Sequence, residues 1–270
     1  MPFKAYEIYK EYEPDKYKTS TEKKVEKALE EAKKEGLVPR KEAIEFQEAK
    51  EIFKEDFLGL EAIKTTFDIE LSQEELEQIE QIPFSKEELE QAKELGMMLV
   101  LRVPHDKEDK PLTLNRMREI FAGEDKLGDP KKKKQQLFYR QPGDGWYKDE
   151  EFATKANMNL GWGLVAKEVL PESRSKNWDE QEEILKQWAK ANKLDPATIR
   201  RRTPVEVVYD TMIYYGANKK SLLEKDYDWT AFQSSGGWFV GVGLFDSVGL
   251  RVFFDARGFR SSYLGVCPAR

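Results

Sequence analysis

The chain of 270 residues holds one cysteine and one histidine. Cys267 alone cannot build an internal disulfide framework or a multi-cysteine zinc site, and its apolar tail suggests a small buried hydrophobe. His105 alone excludes histidine-rich metal sites, and any histidine-based triad would have to use it. It lies in Val103-Pro-His-Asp-Lys-Glu-Asp109, a polar stretch with no serine or cysteine nearby, which suggests a solvated ring rather than a general base. A basic excess is also missing. Lys and Arg number 45 against 51 Asp and Glu, a net charge of −6, and a protein that neutralises phosphates would normally be basic. The one basic run, Lys131 to Lys134, is expected to be a solvated loop. No apolar run approaches the roughly 18 residues of a membrane helix, and the start, Met1-Pro-Phe-Lys-Ala-Tyr6, has no apolar signal segment. The 51 acidic residues single out no catalytic pair. The expectation is a soluble, cytoplasmic, non-enzymatic protein with no cofactor, no metal, no nucleic-acid partner and no membrane insertion.

What is present is unevenly distributed. Residues 226–270 carry four Asp and four Arg, no Lys and no Glu, for a net charge of zero, and hold seven of the 17 glycines. The whole of the −6 therefore belongs to residues 1–225. Within residues 229–263 nine of 35 side chains are aromatic, where the chain-wide 12% predicts about four.

Residues 1–94 suggest charged helices. Lys23 to Lys34 is nearly all Ala, Glu and Lys, and Arg40 to Leu60 places Ile44, Ala49, Ile52, Phe53 and Phe57 at helical spacing. Ser72-Gln-Glu-Glu75 and Ser85-Lys-Glu-Glu88 are capping boxes, in which the Ser oxygen accepts a backbone N–H and the Glu reaches back. Met97 to Val103 is a short apolar run bounded by Gly96 and Pro104, as in a buried strand. Thr113 caps a helix that Gly123 stops, Gln136 to Tyr139 is a strand candidate, and 141–148 is a turn. Gly161 to Val169 is a further strand, and Asn177 caps an amphipathic helix. Thr203-Pro-Val-Glu206 opens a helix with a capping box and Pro at the first position, and Gly216 suits its left-handed end. Trp238 to Phe245 and Leu250 to Phe254 are two strands joined by Asp246-Ser-Val-Gly249. Strand, helix, strands, two helices and a β-rich end make an α+β chain rather than an alternating βα one.

The run Trp238-Phe-Val-Gly-Val-Gly-Leu-Phe245 does not alternate polar with apolar, so both of its faces are covered or one is a binding face. A lone strand aromatic more often packs a core. A cluster of Trp, Tyr, Phe and Arg, the types that dominate interface hot spots, interleaved with turn glycines points to binding.

Trp229-Thr230, Ser234-Ser-Gly-Gly237, Phe245-Asp-Ser-Val-Gly249, Arg251-Val252 and Leu264-Gly-Val266 resemble the frame of the C-type-lectin-fold variable proteins of diversity-generating retroelements, of the archaeal and small-genome bacterial branch. Gly161-Trp162 with Leu164-Val165, Asn177 to Gln181 and Thr203-Pro-Val-Glu206 are similar to the same family. The likeness covers residues 97–270. It implies an α+β C-type lectin fold over 95–270, with a variable binding segment at 229–266, behind a charged helical region at 1–94. The implied function is non-enzymatic display of a hypervariable surface to a protein or other macromolecular ligand. Frame positions would be Trp229, Ser235, Gly236, Gly237, Val240, Val242, Gly243, Phe245, Asp246, Gly249, Arg251, Val252, Leu264, Gly265 and Val266. Ligand-binding, variable positions would be Phe232, Gln233, Trp238, Gly241, Leu244, Val248, Phe253, Phe254, Asp255, Arg257, Phe259, Arg260, Ser262 and Tyr263. The alternatives are a structural protein whose residues 1–94 dock a partner while the C-terminal domain is a folded cap, or an inactive fold similar to the formylglycine-generating enzymes. Those enzymes need a cysteine pair. A calcium-dependent lectin would need a Glu-Pro-Asn or Gln-Pro-Asp triplet and a Trp-Asn-Asp strand, but Gly143 intervenes between Pro142 and Asp144 and no Trp-Asn-Asp occurs.

Overall fold

Two small sheets carry the chain, and buried side chains decide where each strand lies. The computed structural model describes residues 45–122, 127, 136–139, 145–155 and 158–270. The first sheet is formed by β1 (Phe57–Leu58), β2 (Met97–Arg102) and β3 (Gly161–Ala166), in that order, with β1 parallel and β3 antiparallel to β2. All six β2 residues are buried, as expected for a central strand covered on both faces. The second sheet has the order β6-β5-β4-β7, from β4 (Tyr227–Gln233), β5 (Phe239–Asp246), β6 (Gly249–Asp255) and β7 (Leu264–Gly265). Its β4–β5 and β5–β6 pairs are antiparallel, and β7 runs parallel to β4. The last residues join the two sheets: Leu164 and Arg270 exchange backbone hydrogen bonds of 2.8 Å, and Ala269 does the same with Arg200.

Eight helices surround these sheets among the described residues: α1 (Phe46–Phe53), α2 (Leu60–Phe67), α3 (Gln73–Ile79), α4 (Lys86–Glu94), α5 (Leu114–Ile120), α6 (Glu151–Thr154), α7 (Trp178–Ala191) and α8 (Pro204–Asn218). Ser72, Ser85, Asn177 and Thr203 each close a full capping box at the start of α3, α4, α7 and α8, and Thr113 caps α5. The mixed α+β class and the absence of any described helix long and apolar enough to cross a membrane are both plain. By its contacts the chain divides into Met1–Ala43 and Ile44–Arg270, and the elements above belong to the second unit. The boundary expected at residues 94 and 95 falls inside that unit, where Ala49, Phe53, Leu89 and Ala92 share a buried cluster with Met97, Leu99 and Leu164.

Several expectations need correction. The helix expected over Arg40 to Leu60 closes at Phe53. Lys54 turns to φ 54°, a short 3₁₀ turn follows, and Phe57–Leu58 leaves to pair with Leu99–Val100. Gln136 to Tyr139 makes an isolated bridge, Phe138 to Leu250, rather than a strand. The strand from Gly161 ends at Ala166 rather than Val169. Gly216 does not end α8: Lys219 takes the left-handed position, while a Cβ on Gly216 would meet Thr66 Oγ1 at 2.2 Å. His105 is not solvated. Its side chain is 19% exposed, with Nε2 2.5 Å from Glu75 Oε1 and Nδ1 2.9 Å from the Asp106 carbonyl. Both neighbours are acceptors, so both ring nitrogens must donate. Burial opposes that charge, but the Asp106 carbonyl and Glu75 outweigh it and raise the His105 pKa. The Lys23–Lys34, Gly123, Lys131–Lys134 and 141–144 expectations lie outside the described residues.

An ionic lattice beneath α8 ties the two sheets together. From β2, Arg102 reaches Asp210 through Nε (3.0 Å) and Nη2 (2.7 Å), and Glu206 through Nη1 (2.7 Å). Arg202 links the other Asp210 contact (3.0 Å) to Asp228 on β4 (2.9 Å), and Asp228 also accepts the Cys267 N–H (2.8 Å). Arg200 grips both Glu206 oxygens. Three guanidinium groups therefore face three carboxylates, and every lattice member except Arg200 is buried. Burial pushes the Glu206 carboxyl up, yet Arg102 and Arg200 prevail and hold it down to about 2.

Candidate ligand-binding face

Residues directly opposite each other on antiparallel strands share a face. Val240 faces Phe254, and Val242 faces Val252. Val240, Val242, Val252 and Leu250 turn this inner face to the main core. The alternate set, Tyr227, Trp229, Phe239, Gly241 and Phe253, makes the outer face. Trp178, at the first position of α7, covers one part of it against Phe239, with ring centroids 4.9 Å apart. Trp178 is flanked by the buried Arg201 guanidinium at 4.3 Å and by Arg257 at 5.2 Å, a favourable placement over an aromatic ring.

Of the 14 variable candidates, only Gly241 is buried. Gln233, Trp238, Val248, Phe254, Arg260, Ser262 and Tyr263 are exposed, and Phe232, Leu244, Phe253, Asp255, Arg257 and Phe259 are half-buried. Most frame positions are buried, but Asp246 and Arg251 are half-buried and Ser235, Gly236 and Gly237 are exposed.

The fold gathers the candidates into separate groups. At the end of the inner face Phe254 packs edge-on against Trp146 (4.5 Å) and lies 5.9 Å from Trp238. Trp146 donates its indole N–H to the Val252 carbonyl, and Glu150 accepts both the N–H and the hydroxyl of Ser235, which pins the turn below Trp238. On the outer face Phe253 packs on Tyr227 with ring centroids 4.3 Å apart and planes tilted by 36°, Tyr263 lies 6.1 Å from Tyr227, and Leu244 and Phe259 pack beside the same cluster. Burial pushes the Tyr227 hydroxyl up to about 12, so it stays a neutral phenol. The third group holds its own loop rather than free space. Arg257 pairs with Asp179, and Arg260 with Glu180, in the first turn of α7. The Arg260 and Asn177 hydrogen bonds hold Glu180 down to about 2. Phe232 packs on the main core, while Asp255 accepts the Ala256 N–H and Val248 donates to Asp246 within their turns.

Glycines separate into two kinds. A Cβ on Gly243 would strike backbone, 2.1 Å from the Asp226 carbonyl and 2.7 Å from Tyr227 Cα, and one on Gly249 would lie 2.4 Å from the Phe138 carbonyl carbon at φ +104°. Nothing short of moving a strand relieves these. A Cβ on Gly241 would meet only a ring, with Phe253 Cε1 at 2.1 Å.

Trp146, Glu150 and Trp178 border these groups without having been singled out in the sequence. Trp146 opens a turn after Gly145, and its aromatic type was the available signal. Among the described residues no group of three His, Cys, Asp or Glu side chains is placed to hold a metal ion. Comparison with known proteins returns no match: no family model, no curated protein and no solved structure matches the chain.

Proposed function

We propose that this chain is a non-enzymatic binding protein of the C-type-lectin-fold, retroelement-diversified type. Its C-terminal segment presents a replaceable surface to a macromolecular ligand, most simply another protein. The observation that carries this proposal is the division of residues 229–266. Thirteen of the 14 candidate contact positions reach solvent at least in part, whereas Val240, Val242 and Val252 between them are buried and Gly243 and Gly249 are locked by backbone. Such a division lets outward side chains change while the sheet beneath them persists. Exposed aromatics held on a sheet also need little ordering before they bind. The sharing of one buried cluster by α1, α4 and β2 argues against a C-terminal domain that merely caps working helices. The test is the DNA flanking the gene. A near-copy of the stretch encoding residues 229–266 beside a reverse-transcriptase gene, differing mainly at template adenines, is the expected result. A locus with neither would overturn the diversification.

A further inference from the structure

The outer face contains a linkage between two positions on neighbouring strands. Gly241 and Phe253 are directly opposite across β5 and β6, and the three nearest atoms to a Cβ built on Gly241 all belong to the Phe253 ring, at 2.1, 2.6 and 3.3 Å. The ring thus fills the hollow that a side chain at 241 would occupy, the arrangement by which an aromatic covers a strand glycine. Gly241 does not have the positive φ of Gly237 or Gly249, so its backbone accepts other residues. The Phe253 ring is what an added Cβ would meet first. Phe253 in turn packs against Tyr227, with planes tilted by 36°, and Tyr227 neighbours the exposed Tyr263.

We propose that residues 241 and 253 form one specificity element of the binding face, in which the side chain at 241 decides whether the side chain at 253 lies flat or turns outward. This rests on the function proposed above, since only a recognition surface gives the choice a consequence. With Gly241, Phe253 lies down and continues the aromatic strip through Tyr227 towards Tyr263. With any larger residue at 241, an aromatic at 253 must leave Tyr227 and project towards the ligand, or be replaced by a small residue. The two positions therefore offer fewer surfaces than independent variation would, and each permitted pair differs in shape across three strands.

A thermal cycle in the full chain tests this without any ligand. Gly241→Ala alone should lower Tm by several degrees and remove the upfield shift that the Tyr227 ring gives a labelled Phe253. In a Phe253→Ala background the clash is gone, and the same Gly241→Ala change should raise Tm by roughly 1–4 °C, as a strand glycine replaced without strain does. Should Gly241→Ala fail to fold, a folded double variant supports the linkage, and an unfolded double variant beside a folded Phe253→Ala overturns it. Equal effects of Gly241→Ala in both backgrounds also overturn it. None of these outcomes bears on whether the face binds anything, so the linkage and the proposed function fail separately.

Discussion

The lattice beneath α8 and the outer part of the C-terminal sheet both rely on arginine, in opposite ways. Arg102 and Arg202 are buried and each meets two carboxylates from distant segments. Arg257 and Arg260 lie on the surface, each against a single carboxylate of the α7 first turn. Removing Arg202 leaves the buried Asp228 without its guanidinium partner, whereas removing a surface arginine returns its partner to water. The same contrast holds for glycine, where Gly243 is fixed by backbone and Gly241 by one movable ring. The difference teaches that residues 229–266 contain positions the fold depends on and positions it tolerates, interleaved most closely along β6, where buried Leu250 and Val252 neighbour half-buried Arg251 and Phe253.

Substitutions should break that contrast where it is strongest. Arg202→Met leaves Asp228 in the core with only the Cys267 N–H and Asp210 with Arg102 alone, and should cost about 3–5 kcal/mol, seen as a lower urea midpoint. Acid should act on the same lattice. In the folded chain the Glu206 carboxyl is held down to about 2 from its ordinary 4.5. A depressed carboxyl stabilises fully above the higher value and loses its contribution as pH falls from 4.5 towards 2. That amounts to about 3 kcal/mol, readable as urea midpoints at stepped pH. Gly243→Ala, which must push back the Asp226–Tyr227 backbone, should cost about 1–3 kcal/mol. Trp238→Ser, Phe254→Ser and Tyr263→Ser should each stay within about 1 kcal/mol in the same assay. Losses of about 3 kcal/mol or more at these three would make them core residues.

How much of this was legible depended on range. The boxes at Ser72, Ser85, Asn177 and Thr203 could be read because cap and partner stand three residues apart. The strands β2, β5 and β6 announced themselves as apolar runs between glycines or prolines. The Arg200-Arg201-Arg202 run gave no local sign of its role, since Arg102 lies 108 residues from its partner Asp210 and Asp228 lies 26 residues from Arg202. His105 was misjudged for the same reason, because Glu75 lies 30 residues upstream. The break at Lys54 was hidden by apolar spacing that continues to Phe57, a side chain the strand claims instead. On the candidate face, the outward positions came from the resemblance to the variable-protein frame, because the β5 run does not alternate polar with apolar. What alternation could not supply was the split between the two faces of the sheet, or the docking of Arg257 and Arg260 on α7.

The division between tolerated and required positions is tested most directly by two libraries of the full chain. One randomises Trp238, Leu244, Val248, Phe254, Ser262 and Tyr263 together. The other randomises Val240, Val242, Gly243, Phe245, Val252 and Leu264. Protease resistance of displayed variants gives the folded fraction of each. Most of the first library should remain resistant, it should yield binders to an immobilised protein such as serum albumin, and nearly all of the second should be cleaved. Equal losses in the two libraries would contradict the account, because the outward side chains would then be part of what holds the sheet together.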